Sequence, residues 1–256
     1  MRIFEPVPPR LLAPNAITAL GMVLGFTSLW CSANDQLGDA AWLIALAALA
    51  DKLDGTVARL LRATSEFGVQ FDSFSDFCTF GLCPAALVYR AVTLHGGAAW
   101  TGGTMAIALT VICCLYAIAA AVRLARFNVT TADHPTMFQG LPTTVSGSFM
   151  GLLFLCLAEL NAAGPATHDL LPWLLAALGA LMVSNLPLPK LALPTGRWAR
   201  AFFIVNIALV YVLVPLRVPW SATYGLVLAT CYMLVGFGVG LRASSEANTQ
   251  TTQAVR

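Results

Sequence analysis

Half of the chain's eight aspartates fall within 26 residues, at Asp51, Asp54, Asp72 and Asp76. On a helix, residues three or four apart share a face, so Asp51 with Asp54 and Asp72 with Asp76 form two carboxylate pairs. An antiparallel helical hairpin brings the pairs together. Four carboxylates in a small volume repel one another unless cations compensate. Hard divalent cations take oxygen ligands, and Mg²⁺ in particular keeps positions for water and substrate phosphates.

The neighbouring residues fit the same chemistry. Gly55 and Ala58 continue the face of the first pair, and Gly68 precedes Asp72 by four residues, leaving room for a ligand near the backbone. One turn on, Arg59 can offer a bidentate fork to phosphate oxygens. Thr64 and Ser65, in the turn between the pairs, can donate hydrogen bonds. Carboxylates for metal, glycine for access and arginine for phosphate point to phosphoryl transfer at a membrane surface. Ion pairing with Lys52, Arg59 or Arg62 would account for one such aspartate but not for the set.

The elements that must carry these residues are membrane helices. The chain has 256 residues, 58% hydrophobic and only 10% charged, with a mean hydropathy of +0.78. A soluble domain carries about 25% charged residues. Runs of about 20 apolar residues, enough to cross a bilayer as helix, recur along the sequence. The expected fold is all-α, a polytopic membrane helix bundle with about eight spans, at 15–32, 38–61, 69–94, 102–127, 142–163, 168–188, 198–215 and 219–241. Six would form a core over 1–190 and two a C-terminal pair over 191–241. The polar tail 242–256 lacks apolar periodicity and reads as disordered.

With eight spans both termini share one side. Arg2, Arg10, Lys52, Arg59, Arg62, Arg123, Arg126, Lys190, Arg197, Arg200, Arg242 and Arg256 fall there, against Arg90 and Arg217 opposite. That asymmetry places the N- and C-termini in the cytoplasm. A net charge of +2 gives no ground for a nucleic-acid partner. The seven cysteines lack metal-ligand spacing and read as packing residues. His95, His134 and His168 lie in connections and read as solvated.

As a pattern the acidic segment is D-x2-D-G-x2-A-R-x8-G-x3-D-x3-D, filled at all eight positions by Asp51, Asp54, Gly55, Ala58, Arg59, Gly68, Asp72 and Asp76. It resembles the signature of the CDP-alcohol phosphotransferase family, over most of the first six spans. The resemblance implies a dimeric helical membrane enzyme. Asp51, Asp54, Asp72 and Asp76 would hold a pair of divalent cations, Mg²⁺ or Mn²⁺, with Asp76 also the general base. Asp54, Gly55, Ala58, Arg59, Thr64, Gly68 and Asp72 would border the cytidine diphosphate group.

SEFGVQFDSFSDFCTFGLCPA, RLARFNV at 123–129, FQGLPTT at 138–144 and LMVSNLPLPK at 181–190 further resemble the serine-accepting bacterial branch of that family, departing at Phe74 and Thr144. This implies CDP-diacylglycerol and L-serine as substrates, at the cytoplasmic face of the bacterial inner membrane. Arg123 and Arg126, three apart, could meet the serine carboxylate, with Asn128 and Gln139 as neutral polar contacts. Glycerol 3-phosphate, an inositol phosphate or choline are alternative acceptors. The glycerol-phosphate branch usually reads D-P-x-x-D, where this chain has Asp72-Ser73-Phe74-Ser75-Asp76. An ion-coupled transporter is a reading from another class. Such sites favour broken helices at the midplane of internally repeated folds, and no repeat is evident here.

Overall fold

The computed structural model describes residues 11–130, 137–189 and 196–254; Arg2, Arg10, His134, Lys190 and Arg256 lie outside the described residues. Helix α1 (Leu12–Ala33) turns through Asn34 and Asp35, the latter in the left-handed conformation that aspartate tolerates, into α2 (Leu37–Leu60). These two run antiparallel over most of their length. Ser28 Oγ donates to the carbonyl of Ala40 between them, at 2.9 Å. After α2 the chain reverses at Arg62, also left-handed, and Ser65 caps the next helix, its Oγ accepting from Gly68 N at 3.0 Å.

That helix is one long element in three parts. Helix α3 (Glu66–Asp76) passes into a π-helical turn over Phe77–Leu82, which passes into α4 (Cys83–His95). A 3₁₀ turn (Ala98–Thr101) leads to α5 (Gly103–Thr130). Then follow β1 (Met137–Gln139), α6 (Thr143–Glu159), α7 (Pro165–Val183), β2 (Pro187–Pro189), α8 (Arg197–Leu213) and α9 (Ser221–Ala254). The strands form a small antiparallel ribbon with Phe138 opposite Leu188. It ties the start of α6 to the end of α7.

The core runs along the bundle axis through Ile44, Phe80, Leu87, Tyr116, Met150, Leu175 and Met182. Glycine lets the helices close on one another there. A Cβ on Gly147 of α6 would lie 2.6 Å from Phe80 Cβ and 2.7 Å from Phe80 Cα. On α1, a Cβ on Gly25 would collide with Thr79 Oγ1 and lie 3.2 Å from Thr79 Cα. Such small-residue contacts are how helices associate without a hydrophobic driving force in lipid.

Among the described residues, five helical elements are long and apolar enough to cross a membrane: Leu12–Ala33, Glu66–His95, Gly103–Val129, Pro165–Val183 and Ser221–Gly240. The protein is thus a helical membrane protein. Helix α2 has the length, 24 residues, but carries Asp39, Asp51, Lys52, Asp54 and Arg59. Helices α6 and α8 have 17 residues each.

Helix α8 has no buried side chain; its Asn206 Oδ1 accepts from Tyr224 OH of α9, and its end is fastened to α2. Tyr211 OH donates to Leu49 O at 3.0 Å, and Trp42 Nε1 donates to Val214 O at 2.9 Å. Beyond it Arg217 stacks 4.2 Å over the Trp42 ring and pairs with Asp39 at 2.6 Å.

Helix α9 continues as helical backbone to Ala254, through most of the polar stretch expected to be disordered. One sequence expectation changes. His168 is buried rather than solvated, its Nδ1 2.8 Å from Gly164 O and its ring 5.4 Å from that of His95. It sits in the first turn of α7, pressed against the end of α4. Gly147→Ala is expected to destabilise the protein by about 1–3 kcal/mol, because the added methyl meets backbone that cannot retreat. Thermal unfolding in detergent checks this; an unchanged midpoint would contradict the contact.

Candidate functional site

The two carboxylate pairs meet where α2 faces the α3–α4 element. Carboxylate oxygens of Asp51, Asp72 and Asp76 all lie within 4.8 Å of one another. Asp76 is buried, while Asp51 and Asp72 are half-buried. Lys52 Nζ approaches Asp51 at 3.5 Å from a well-exposed position. A hard divalent cation suits three converging oxygen donors of this kind, so the donor set fits such an ion. Asp54 is not among the three: it is buried and its Oδ2 accepts from Thr18 Oγ1 of α1 at 2.8 Å.

Helix α1 is the rail on which the acidic element is registered. Ser75 Oγ donates to Thr18 O (3.2 Å), Thr79 Oγ1 to Gly21 O (3.3 Å) and Cys83 Sγ to Gly25 O (3.1 Å). Donors four residues apart thus read carbonyls three and four residues apart along α1. Thr18 takes part twice, through its carbonyl to Ser75 and its hydroxyl to Asp54, so one residue indexes both acidic helices. Sequence reasoning missed Thr18; a hydroxyl inside the first apolar span was the available signal.

Further residues reach the cluster from α5 and α6. Thr144 Oγ1 donates to Asp76 Oδ2 at 3.4 Å. Arg123 is buried, stacks 5.1 Å from the centre of the Phe127 ring, and lies near enough to Asp76 for their charges to interact. The turn between the acidic helices stays open: Arg59 and Thr64 are exposed, and a Cβ on Gly55 would meet only Arg59 Nη1, at 3.6 Å. Arg59 Nη2 donates to Thr56 Oγ1 at 3.3 Å. Ala58 is half-buried beside them. Gly68 lies under Ser65, where a Cβ would be 3.1 Å from Ser65 Oγ and 3.4 Å from Asn15 Oδ1. Ser65 therefore serves as a helix cap.

The acceptor candidates divide. Arg126 Nη1 donates to Asn185 Oδ1 (3.1 Å) and Val183 O (3.4 Å), and Nη2 to Gln139 O (3.0 Å) and Ser184 O (3.1 Å). Its guanidinium closes the C-terminal end of α7 and fastens it to the strand ribbon. Asn128 bonds Ser73 Oγ (3.0 Å) and Gln70 Oε1 (3.3 Å), tying the end of α5 to α3. Gln139 contributes its carbonyl to Arg126, with its side chain exposed. Gly140 completes the ribbon at φ +74°, where a Cβ would lie 2.5 Å from Met182 O and 2.8 Å from Ser184 O. No side chain fits there, which explains the glycine of FQGLPTT.

Fold and site together define a helical membrane protein with a three-carboxylate centre beside an open turn bearing glycine and arginine. The chain belongs to the CDP-alcohol phosphatidyltransferase family, whose sequence model matches residues 11–184. It is 33% identical over 201 residues to the CDP-diacylglycerol–serine O-phosphatidyltransferase of Helicobacter pylori strain J99, covering 78% of this chain and 80% of that one. Against the enzyme of the same name from Bacillus subtilis strain 168 the identity is 31% over 196 residues, 72% of this chain and 97% of the relative. The archaetidylserine synthase of Methanothermobacter thermautotrophicus is 32% identical over 181 residues, 69% of each chain.

Arg126→Gln is expected to lower the thermal midpoint, at a cost of about 1–3 kcal/mol for carbonyls left without their charged donor. Binding of Mn²⁺ by the folded variant should persist. Loss of Mn²⁺ binding with an unchanged midpoint would overturn the fastening role.

Proposed function

We propose that this protein transfers the phosphatidyl group of CDP-diacylglycerol to the hydroxyl of L-serine, giving phosphatidylserine and CMP. The observation that carries this is the convergence of Asp51, Asp72 and Asp76 in a chain similar, over most of its length, to relatives named for that reaction.

The step forms a bond between the serine hydroxyl oxygen and the phosphorus bearing the diacylglycerol. The bond from that phosphorus to the bridging oxygen breaks, CMP leaves with the electron pair, and the hydroxyl proton passes to a carboxylate. Asp76 is the assigned base: it is buried in the cluster, with Thr144 on Oδ2. A positioned carboxylate can take the proton as attack proceeds. Asp51, Asp54, Asp72 and Asp76 would hold divalent cations, Mg²⁺ or Mn²⁺ and two in number. When bound, these offset charge on the phosphate oxygens. Asp54, Gly55, Ala58, Arg59, Thr64, Gly68 and Asp72 would border the cytidine diphosphate. Arg59 is exposed and can turn its guanidinium to a diphosphate.

Arg123, beside Asp76 and buried, is our choice to meet the serine carboxylate. Asn128 and Gln139 frame that side, and Arg126 holds the scaffold around it. The charge asymmetry of the sequence supports eight spans with both termini cytoplasmic and the site at the cytoplasmic face of a bacterial inner membrane. Residues 1–190 would be the catalytic core, with the helix pair of 191–241 packed on it, and the family resemblance supports a homodimer.

Purified protein with CDP-diacylglycerol, Mg²⁺ or Mn²⁺, and each candidate alcohol should release CMP with L-serine. Release with glycerol 3-phosphate but not serine would overturn the acceptor; no metal-dependent release with any alcohol would overturn the reaction. Asp76→Asn should abolish turnover in a protein that still folds, and wild-type turnover would remove Asp76 as base. Arg123→Gln should raise KM for serine far more than KM for CDP-diacylglycerol; equal effects on both would remove Arg123 from the acceptor side.

A further inference from the structure

The π-helical turn at Phe77–Leu82 begins at the residue after Asp76. At its end Cys83 N donates to Cys78 O, five residues back instead of four. The turn therefore holds one more residue than an α-helical turn of the same span. One residue is about 100° of rotation about a helix axis. With α4 fixed in the core through Leu87, Val88 and Ala91, the widened turn sets the direction in which Asp72 and Asp76 face. In plain α-helical register the same sequence would swing both carboxylates by that angle, away from Asp51.

A π turn is a costly local choice, and something must favour it over the α alternative. Tyr116 of α5 is 1% exposed and donates its hydroxyl to Phe80 O, inside the turn, at 3.1 Å. The same hydroxyl is 3.1 Å from Ser146 Oγ on α6. Packing closes in from three sides, with Gly25 of α1 against Thr79, Gly147 of α6 against Phe80, and Ala120 of α5 so placed that a Cβ on Gly81 would be 3.1 Å from it. Glycine contacts would tolerate more than one register, since they are short-range and non-directional. Two directional contacts reach the turn: Thr79 Oγ1 donates outward to Gly21 O of α1, and the Tyr116 hydroxyl donates to Phe80 O, a backbone carbonyl that the turn itself presents.

We infer that Tyr116 is a positioning residue: its hydrogen bond to Phe80 O holds the π register that aims Asp72 and Asp76 at Asp51. The inference rests on the reading that these three carboxylates hold a divalent cation. Tyr116→Phe removes one oxygen atom and keeps the ring in the core. Mn²⁺ binding by the full-length protein in detergent, followed by the paramagnetic resonance of free Mn²⁺, reads the geometry without turnover. The comparison variant is Ser28→Ala, which deletes a buried hydroxyl-to-carbonyl bond of similar length on the α1–α2 interface.

Tyr116→Phe should weaken Mn²⁺ binding about 10-fold, the loss typical when a group orienting a metal ligand is removed. Its kcat should fall with KM for CDP-diacylglycerol nearly unchanged, while Ser28→Ala binds Mn²⁺ as the wild type does. Wild-type Mn²⁺ affinity in Tyr116→Phe would overturn the positioning role. So would an equal loss in Ser28→Ala, which would mark a general effect of stability. Failure of the wild type itself to bind Mn²⁺ would instead overturn the cation reading on which the inference rests.

Discussion

Carboxylates held within 4.8 Å of one another repel, and in a membrane protein little water is at hand to soften that repulsion. The rest of the structure follows from keeping them there. The force that does so is the seam between α1 and the α3–α4 element, where Ser75, Thr79 and Cys83 each donate to an α1 carbonyl. Gly21 and Gly25 let the backbones come close enough for short side chains to reach. Because Thr18 also binds Asp54, the seam fixes α2 as well as α3. The acidic helices are thus registered against a third helix that contributes no charge, which separates the task of holding the site from the task of doing chemistry.

The same economy appears at several polar groups inside the bundle, although Ser32 and Thr143 bury hydroxyls without a hydrogen-bond partner. Within lipid a backbone or side-chain donor must find its partner in the protein. Tyr116, Ser146 and Ser28 each pair with a neighbouring helix, and Arg126 turns its fork on carbonyls at the exposed end of α7. Each bond joins separate elements, so polar satisfaction and tertiary register are one requirement. Helix α8 follows the rule from outside: Tyr211 reaches Leu49 O, two residues before Asp51, although α8 buries no side chain of its own.

Sequence pattern exposed the acidic helices because their spacing is local. Residues three and four apart share a face whatever the tertiary context, so Asp51, Asp72 and Asp76 are legible as a cluster, and apolar runs locate the start of each helix to within a few residues. Less legible was anything decided by a partner far along the chain. Arg123 and Arg126 have the same type and similar flanks, yet one is buried near Asp76 and the other clasps carbonyls of α7 and β1. The π turn left no trace in a periodicity reading, since one added residue shifts a phase without erasing the pattern. Tyr116 is visible in the sequence only as a hydroxyl in an apolar run, and His168 reads as a loop residue because the packing of α7 on α4 is not written locally.

The start of α6 shows why holding and chemistry are nevertheless coupled. Within four residues, Thr144 reaches the Asp76 carboxylate, Ser146 reaches Tyr116, and Gly147 presses on Phe80. Just before them, Leu141 N donates to Leu181 O in the last turn of α7 and Gly140 N to Leu186 O beside β2, and Arg126 fastens the same ribbon. A displacement of the ribbon would therefore reach Asp76 by two routes, directly through Thr144 and indirectly through the register of the π turn. The stretch FQGLPTT, which sequence resemblance ties to the acceptor, is the part of the chain in contact with the assigned base. On the proposed function, acceptor recognition and base placement would share one short segment, and a change that alters the first would alter the second.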